Sequence, residues 1–417
     1  MFRIRPILLR SSLCIALAGA FFLPPPASAA EQTSRIRTRV VPAIFSTDNL
    51  GLSLGVGGIA IGVGQPQAAL FGMGFASKNN SKGFSLGAVN YRIPKTESWY
   101  LTGFLYDGDL PEYGYFLTAN PGYSVRGNGS ALQTDKLGLQ SFTARLQARW
   151  VLPIGAAKEP GFSLVGRSFL PRQAQGPVGF NPLTSGISSL KFEWEQQSQH
   201  YTDGAGRTQT GAQVLRAQID WDNTGSRIIP RAGTRINLSS SWGFNDYGRG
   251  NWRLNELDVS GFIPLSGPDE QVSQQVLALN LYAADTPSWD ASALSDRPPE
   301  YLGARLGGLN RLRGYRSSRF YDRSAWLYRA EYRLIPKWQP LTPLFAKIGY
   351  RVPWWQFTVF ADAGRVAPSF DLNEFHKDMK TSAGVGLRIL AEGLLVRIDF
   401  GRSQEESTTI IMIDQSF

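Results

Sequence analysis

Between residues 325 and 400, four consecutive segments alternate so strictly that charges fall on one side and apolar side chains on the other. Residues 325–334 set Trp326, Tyr328, Ala330, Tyr332 and Leu334 against Leu327, Arg329, Glu331 and Arg333. Residues 355–364 set Trp355, Phe357, Val359, Ala361 and Ala363 against Gln356, Thr358, Phe360, Asp362 and Gly364. Ala383, Val385, Leu387 and Ile389 then oppose Gly384, Gly386 and Arg388, and Leu394, Val396, Ile398 and Phe400 oppose Leu395, Arg397 and Asp399. A side-chain period of two belongs to extended strands, whose successive Cβ atoms point to opposite faces. The chain is therefore expected to be all-β.

A soluble sandwich would also alternate, with its apolar face turned inward. A membrane barrel inverts this: apolar faces meet lipid and polar faces meet the lumen. Segment length favours the barrel, because residues 140–152 and 271–285 exceed the roughly 9–11 residues a tilted strand needs to cross a bilayer. So does the placing of Trp99, Tyr100, Trp150, Trp242, Trp252, Trp326, Trp354 and Trp355 near strand ends, as in an aromatic girdle. The alternation Thr409, Ile411, Ile413, Gln415, Phe417 reads as a last strand with Phe417 as its C-terminal strand signal. Between residues 50 and 417 the candidates number about sixteen to seventeen, and single-chain barrels of this kind take an even number. A transmembrane antiparallel barrel of sixteen strands is expected over 50–417. A short N-terminal segment, 30–49, would precede it.

The first 29 residues have the form of an export leader. Arg3, Arg5 and Arg10 give a basic start, a short apolar run follows, and Ala27-Ser28-Ala29 suits cleavage. The sole cysteine, Cys14, lies within that leader, so a mature chain is expected to carry no disulfide and no cysteine-bound metal. The leader also holds three of the basic residues behind the net charge of +10, and the milder excess left suits an anionic lipid surface or is ordinary surface charge. Nothing resembles a Lys/Arg block for binding nucleic acid.

Four further patterns stand in a fixed order. They are Leu312-Arg313-Gly314-Tyr315, in the connection before the expected twelfth strand; Glu331, on the polar face of that strand; Phe360-Ala361-Asp362-Ala363-Gly364; and Asp220-Trp221-Asp222-Asn223 followed by Arg227, Pro230, Arg231 and Gly233. Together they resemble the Omp85 superfamily, also called the bacterial surface antigen (D15) family, of outer-membrane assembly and secretion barrels. The resemblance is sharpest over residues 218–417. It implies a cell outer-membrane barrel with the loop before strand 12 folded inward; residues 30–49 hold no periodic helix-plus-strand module, so the chain departs from its larger relatives as a member expected to lack periplasmic POTRA modules. The resemblance further implies insertion or transport of proteins, with outer-membrane lipid, client proteins and a separate periplasmic partner as the expected partners. Neither enzymatic activity nor a cofactor is expected.

Chemistry supports the carry-over. A guanidinium is a planar fork suited to carboxylates, so Arg313 can sit between Glu331 and Asp362 and relieve the repulsion of two nearby acids. Gly314 lets the tip turn closely against the wall, and Tyr315 can pack beneath it. The loop is then either a lock that moves during work or a static brace. Asp222, Arg227 and Arg231 are expected to brace a periplasmic turn shaped by Pro230 and Gly233.

Other candidates carry less. Gly55-Val56-Gly57-Gly58-Ile59-Ala60 matches a dinucleotide fingerprint but lacks the strand–turn–helix setting that the motif requires. His200 and His376 have no nucleophile or ligand cluster near them in sequence. No catalytic triad, metal site or nucleotide motif emerges. Residues 336–353, with Trp338, Leu341, Leu344 and Phe345, are expected to lie on the inner leaflet. Beyond protein insertion, a passive channel for small solutes and a structural or lipid-remodelling barrel remain open.

Overall fold

A computed structural model describes residues 36–417, apart from 117–124, 133, 159–178, 204–205, 227, 245–249, 267–269, 291–295, 348, 392–393 and 414. The expected leader and Arg227 thus lie outside the described residues. Strands β1 (Arg37–Thr47), β2 (Gly51–Ile61), β3 (Ala69–Ser77), β4 (Lys82–Arg92), β5 (Trp99–Phe116) and β6 (Thr134–Val151) open the sheet. They are followed by β7 (Ile187–Asp203), β8 (Gly206–Asp222), β9 (Gly233–Phe244), β10 (Trp252–Ser266) and β11 (Val272–Asp285). Two-residue strands β12 (Arg305–Leu306) and β13 (Phe320–Tyr321) pair only with each other. Strands β14 (Ser324–Pro336), β15 (Trp354–Ala367), β16 (Lys380–Ala391), β17 (Leu394–Ser403) and β18 (Ser407–Ile413) complete the chain. All but β12 and β13 form one closed antiparallel barrel of sixteen strands, in which β18 meets β1. The expected architecture is correct, and β14 is its twelfth strand.

Burial confirms that the pattern is inverted. Tyr328, Val359, Val385 and Phe400 are 39–49% exposed on the outer face, whereas Glu331, Asp362, Arg388, Arg397 and Asp399 are 0–2% exposed on the inner one. Trp99 and Trp150 stack with centroids 5.7 Å apart across β5 and β6, as a girdle would have them. Trp252 and Trp354 do not belong to that girdle: both are buried, and Trp354 packs with Ile335, Leu390 and Leu395.

Two boundaries differ from the sequence reading. The barrel starts at Arg37, inside the segment 30–49 expected to precede it. Arg37, Arg39 and Pro42 hide this strand from a hydrophobicity pattern. Proline cannot donate to a ladder and is tolerated on edge strands, and β1 is almost an edge: among the described residues its registered pairing with β18 is Ser46↔Ile411 alone. At the other end β18 stops at Ile413. Phe417 does not finish an outward-facing strand; it lies inside the barrel, stacked on Phe262 at 6.4 Å.

One end of the barrel, where β1 begins and β18 stops, is called the near end here; the connection of residues 286–323 enters from the far end. Leu306, Leu312, Tyr315 and Phe320 of this connection form an apolar core with Trp252, Leu254, Tyr282, Leu327 and Val366 of the wall. Burial of those side chains gives the loop its own reason to stay in the lumen.

At the near end, residues 337–353 join β14 to β15 and include a short helix, Leu341–Ala346. Trp338 is 69% and Leu344 57% exposed, and the Trp338 ring meets the outward Trp355 edge-on at 6.0 Å. Beside Lys337 and Lys347 this makes an apolar and basic surface continuous with the girdle, the composition of an interfacial segment. Brominated lipid is expected to quench the fluorescence of the parent protein more than that of Trp338→Phe. Equal quenching would remove the segment from the membrane surface.

Candidate functional site

The site is built where the loop tip meets β14, β15 and β17. Arg313 is fully buried. Its backbone N–H and its Nε both donate to Asp362 Oδ2 at 2.9 Å, and Nη2 donates to Asp362 Oδ1 at 2.7 Å. Nη1 donates to Glu331 Oε1 and lies 3.7 Å from Asp399 Oδ2. The guanidinium lies over the Phe360 ring, 3.7 Å from its centroid. Burial alone would lower the Arg313 pKa, but Asp362 and Glu331 outweigh it and hold the pKa above the usual value. The ion stays charged.

Backbone geometry explains the motif. Gly314 has φ +89°, and a Cβ there would come within 3.1 Å of Ser382 Cβ and the Arg402 carbonyl carbon, so only glycine fits without strain. Leu312 also has a positive φ, 59°, uncommon for a side chain of its size. Tyr315 packs edge-on against Phe320 at 5.2 Å and donates to Thr381 O at 3.2 Å, as expected for a residue beneath the tip. The predicted set Leu312, Arg313, Gly314, Tyr315, Glu331 and Asp362 is thus brought together.

More residues join than the sequence suggested. Arg333 Nε donates to Glu331 Oε2 at 2.7 Å, Arg388 Nη1 donates to Asp399 Oδ1 at 2.6 Å, and Arg397 Nε lies 3.7 Å from Asp399 Oδ2. Four buried guanidiniums therefore share three carboxylates. Gly386 makes room for this: a Cβ there would collide with the Asp399 carboxylate. The alternation had put all these charges on the lumen face, but which ones meet depends on the register of four strands.

The loop also straddles the seam between β1 and β18. Ser317 N donates to Asp48, in the β1–β2 turn, at 2.5 Å. Arg316 Nε donates to Glu406 at 2.9 Å and Arg319 Nε to Glu405 at 2.7 Å, both in the β17–β18 turn. Gly314 N donates to Thr408 Oγ1 of β18 at 3.1 Å. Arg126 Nη1 bonds Glu300 at 2.5 Å and, through Nη2, Ser318 O at 2.7 Å, holding the loop from the β5–β6 side. Sequence reasoning missed all of these, because none forms a local pattern.

The turn between β8 and β9 departs from expectation. Asp222 faces Arg235 of β9 at 3.3 Å and accepts from Thr224 N at 2.9 Å. The arginine that pairs with Asp222 is therefore Arg235, a residue outside the expected set. Gly233 has φ +107°, and a Cβ would crowd Asn223; Pro230 is buried. Ile228 and Ile229 reach across the near end to Ile335, Trp354, Leu390 and Leu395 on β14 to β17. The turn is folded inward, like the loop at the opposite end.

Between loop and wall lies a chamber of about 920 Å³, lined among others by Arg145, Lys191, Glu195, Arg216, Asp258 and Arg311. Arg311 stacks over Tyr282 at 3.7 Å and bonds Glu256 at 3.0 Å, so the tip pairs with charges on this side also.

A family model described as the Omp85 superfamily domain matches residues 179–409. Among solved structures, the chain is similar to BamA from Haemophilus ducreyi lacking POTRA domains 1-3, with a TM-score of 0.50 and 14% identity, over 91% of this chain and 69% of that one. It is similar to CdiB from Acinetobacter baumannii (TM-score 0.50, 13% identity, 92% of this chain and 60% of that one). CdiB from Escherichia coli gives a TM-score of 0.55 at 12% identity, over 92% of this chain and 67% of that one. No curated protein matches the sequence. At such identities these likenesses concern the fold.

Proposed function

The chain, with over half its length matching that domain, belongs to the Omp85 superfamily, and we propose that it moves polypeptides into or across the outer membrane through its seam. A barrel of this family is an outer-membrane protein, and residues 1–29 serve in this reading as the leader that exports it. The observation that carries the proposal is the β1–β18 contact. One registered pair among the described residues, Ser46↔Ile411, closes the seam, whereas β17 and β18 are in register from Val396↔Ile413 to Arg402↔Ser407. Unpaired backbone on β1 is a template for an added strand. The loop that spans this seam on Asp48, Glu405 and Glu406 would hold it shut until a client arrives.

Opposed residues in an antiparallel pair lie about 4.5–5.5 Å apart at Cα, within disulfide range. Ser46→Cys combined with Ile411→Cys is therefore expected to cross-link under oxidation. In a strain that depends on the protein, the oxidised form should fail to restore the missing outer-membrane or secreted proteins, and reduction should restore them. Full complementation by the cross-linked form would overturn the seam as the route.

A second reading, a channel for small solutes, is favoured by the polar chamber of about 920 Å³. It predicts steady conductance in planar bilayers that the cross-link leaves intact.

A further inference from the structure

The last three residues of the sequence contact the β8–β9 turn and the barrel wall, and reach the loop tip through Arg329. Gln415 Nε2 donates to Ile228 O of the inward β8–β9 turn at 2.8 Å. Ser416 Oγ donates to Glu331 Oε1 at 2.6 Å, and its carbonyl accepts from Arg329 Nη1 at 2.8 Å. The same Arg329 nitrogen donates to Asn310 O at the loop tip. Phe417 lies against Phe262 and under two guanidiniums, with Arg329 at 4.5 Å and Arg333 at 4.9 Å from its centroid.

These contacts belong to a segment directly continuous with β18, the strand that forms one side of the seam. If β18 swings away from β1, residues 415–417 must follow or break their bonds. Gln415 and Ser416 are 8% and 4% exposed, so breaking their bonds takes the side-chain donor from the Ile228 carbonyl and one partner each from the charged Glu331 and Arg329, a loss that water does not readily repay at a buried site. Ser416 is bonded on both sides to charged groups, Glu331 and Arg329. Passive filling of the lumen would require only the Phe417 ring; it does not account for polar bonds to the turn, the wall and, through Arg329, the loop.

We propose that residues 415–417 are a latch that couples the seam, the Arg313 lock and the Ile228–Ile229 turn into one two-state unit. The proposal rests on the seam reading and supplies its regulation: withdrawing the tail unfastens the far-end loop and the near-end turn together. Two sites biased by one bistable element must respond to each other reciprocally.

The test uses purified full-length protein in liposomes with no client present. One reporter cysteine replaces Ser226, buried in the β8–β9 turn, and a second, in a separate protein, replaces Leu312, buried at the loop tip. Labelling by a water-soluble maleimide is measured with and without Phe417→Ala, and with the milder Gln415→Ala and Ser416→Ala, each checked for barrel folding by circular dichroism. A latch predicts that the tail variants speed labelling at both reporters together, on the order of 5–150-fold, the usual span of a coupling free energy. Adding the seam disulfide made by Ser46→Cys and Ile411→Cys, with labelling read by mass spectrometry of the reporter peptide, should suppress the rise at both sites. Faster labelling at Ser226→Cys alone, or at neither reporter, overturns the latch. Because no client takes part, that result leaves the complementation test of the seam standing, and a failed complementation test leaves these rates unchanged.

Discussion

Arg313→Ala is expected to destabilise the barrel by about 3–5 kcal/mol, the cost of removing one partner from a buried ion pair. The reason lies with Asp362 more than with the arginine. Asp362 is 2% exposed, and the backbone N–H, Nε and Nη2 of Arg313 all donate to it. Glu331 and Asp399 keep Arg333 and Arg388 as partners, so the loss concentrates on one carboxylate. A lower urea midpoint for the variant in detergent micelles would register this loss. Trypsin should cut the released loop at Arg311, which its folded position protects, and conductance in planar bilayers should rise. Asp362→Asn added to Arg313→Ala should recover part of the stability, since it removes the orphaned charge. A variant as stable as its parent, with its loop still protected, would show that the apolar core around Leu312 and Tyr315 holds the loop without the ion pair.

Glu331→Gln should cost about 3 kcal/mol or more, though it changes only two atoms' chemistry. Glu331 accepts from Arg313, from Arg333 Nε at 2.7 Å and from Ser416 Oγ at 2.6 Å, with Arg388 Nη2 at 3.9 Å. A glutamine offers one acceptor and turns an N–H₂ donor towards guanidiniums that have only donors to offer. Four buried arginines would then face two carboxylates, Asp362 and Asp399. Denaturant unfolding reads the cost. Arg333→Met in the same protein should return part of it by removing one of the unpaired cations. If Glu331→Gln alone unfolds at the parent's midpoint, Asp362 and Asp399 suffice for all four cations and Glu331 is dispensable to the lock.

Much of this site was legible in the sequence. Alternation put Glu331 and Asp362 on one face of adjacent strands, and an arginine in the loop just before them had somewhere to go. Asp399, Arg388 and Arg397 were assigned to the same face yet not to the site. Their meeting depends on offsets between β14, β15, β16 and β17 that no single strand encodes. Arg37 to Thr47 escaped notice as a strand because its neighbour across the seam hardly binds it, so the sequence is not held to a clean pattern there. Arg235, which the sequence did not single out, pairs with Asp222 for a geometric reason: Gly233 turns the chain, and the next inward position on β9 faces the carboxylate.

The sequence by itself determined a membrane barrel with inverted faces, which follows from the period of two. The even-number rule brought the strand total to sixteen without counting β1, and the family resemblance, supported by the affinity of a guanidinium for carboxylates, paired Arg313 with Glu331 and Asp362. Only the tertiary structure decided that β1 and β18 share a single registered pair among the described residues, that the loop spans them, and that Gln415, Ser416 and Phe417 turn inward to meet the β8–β9 turn and the wall arginine that holds the loop tip. Barrel closure brings the ends of the chain together, and the contacts it creates join residues as far apart as Asp48 and Ser317. Their energy depends on position in space, which no neighbour along the chain reports.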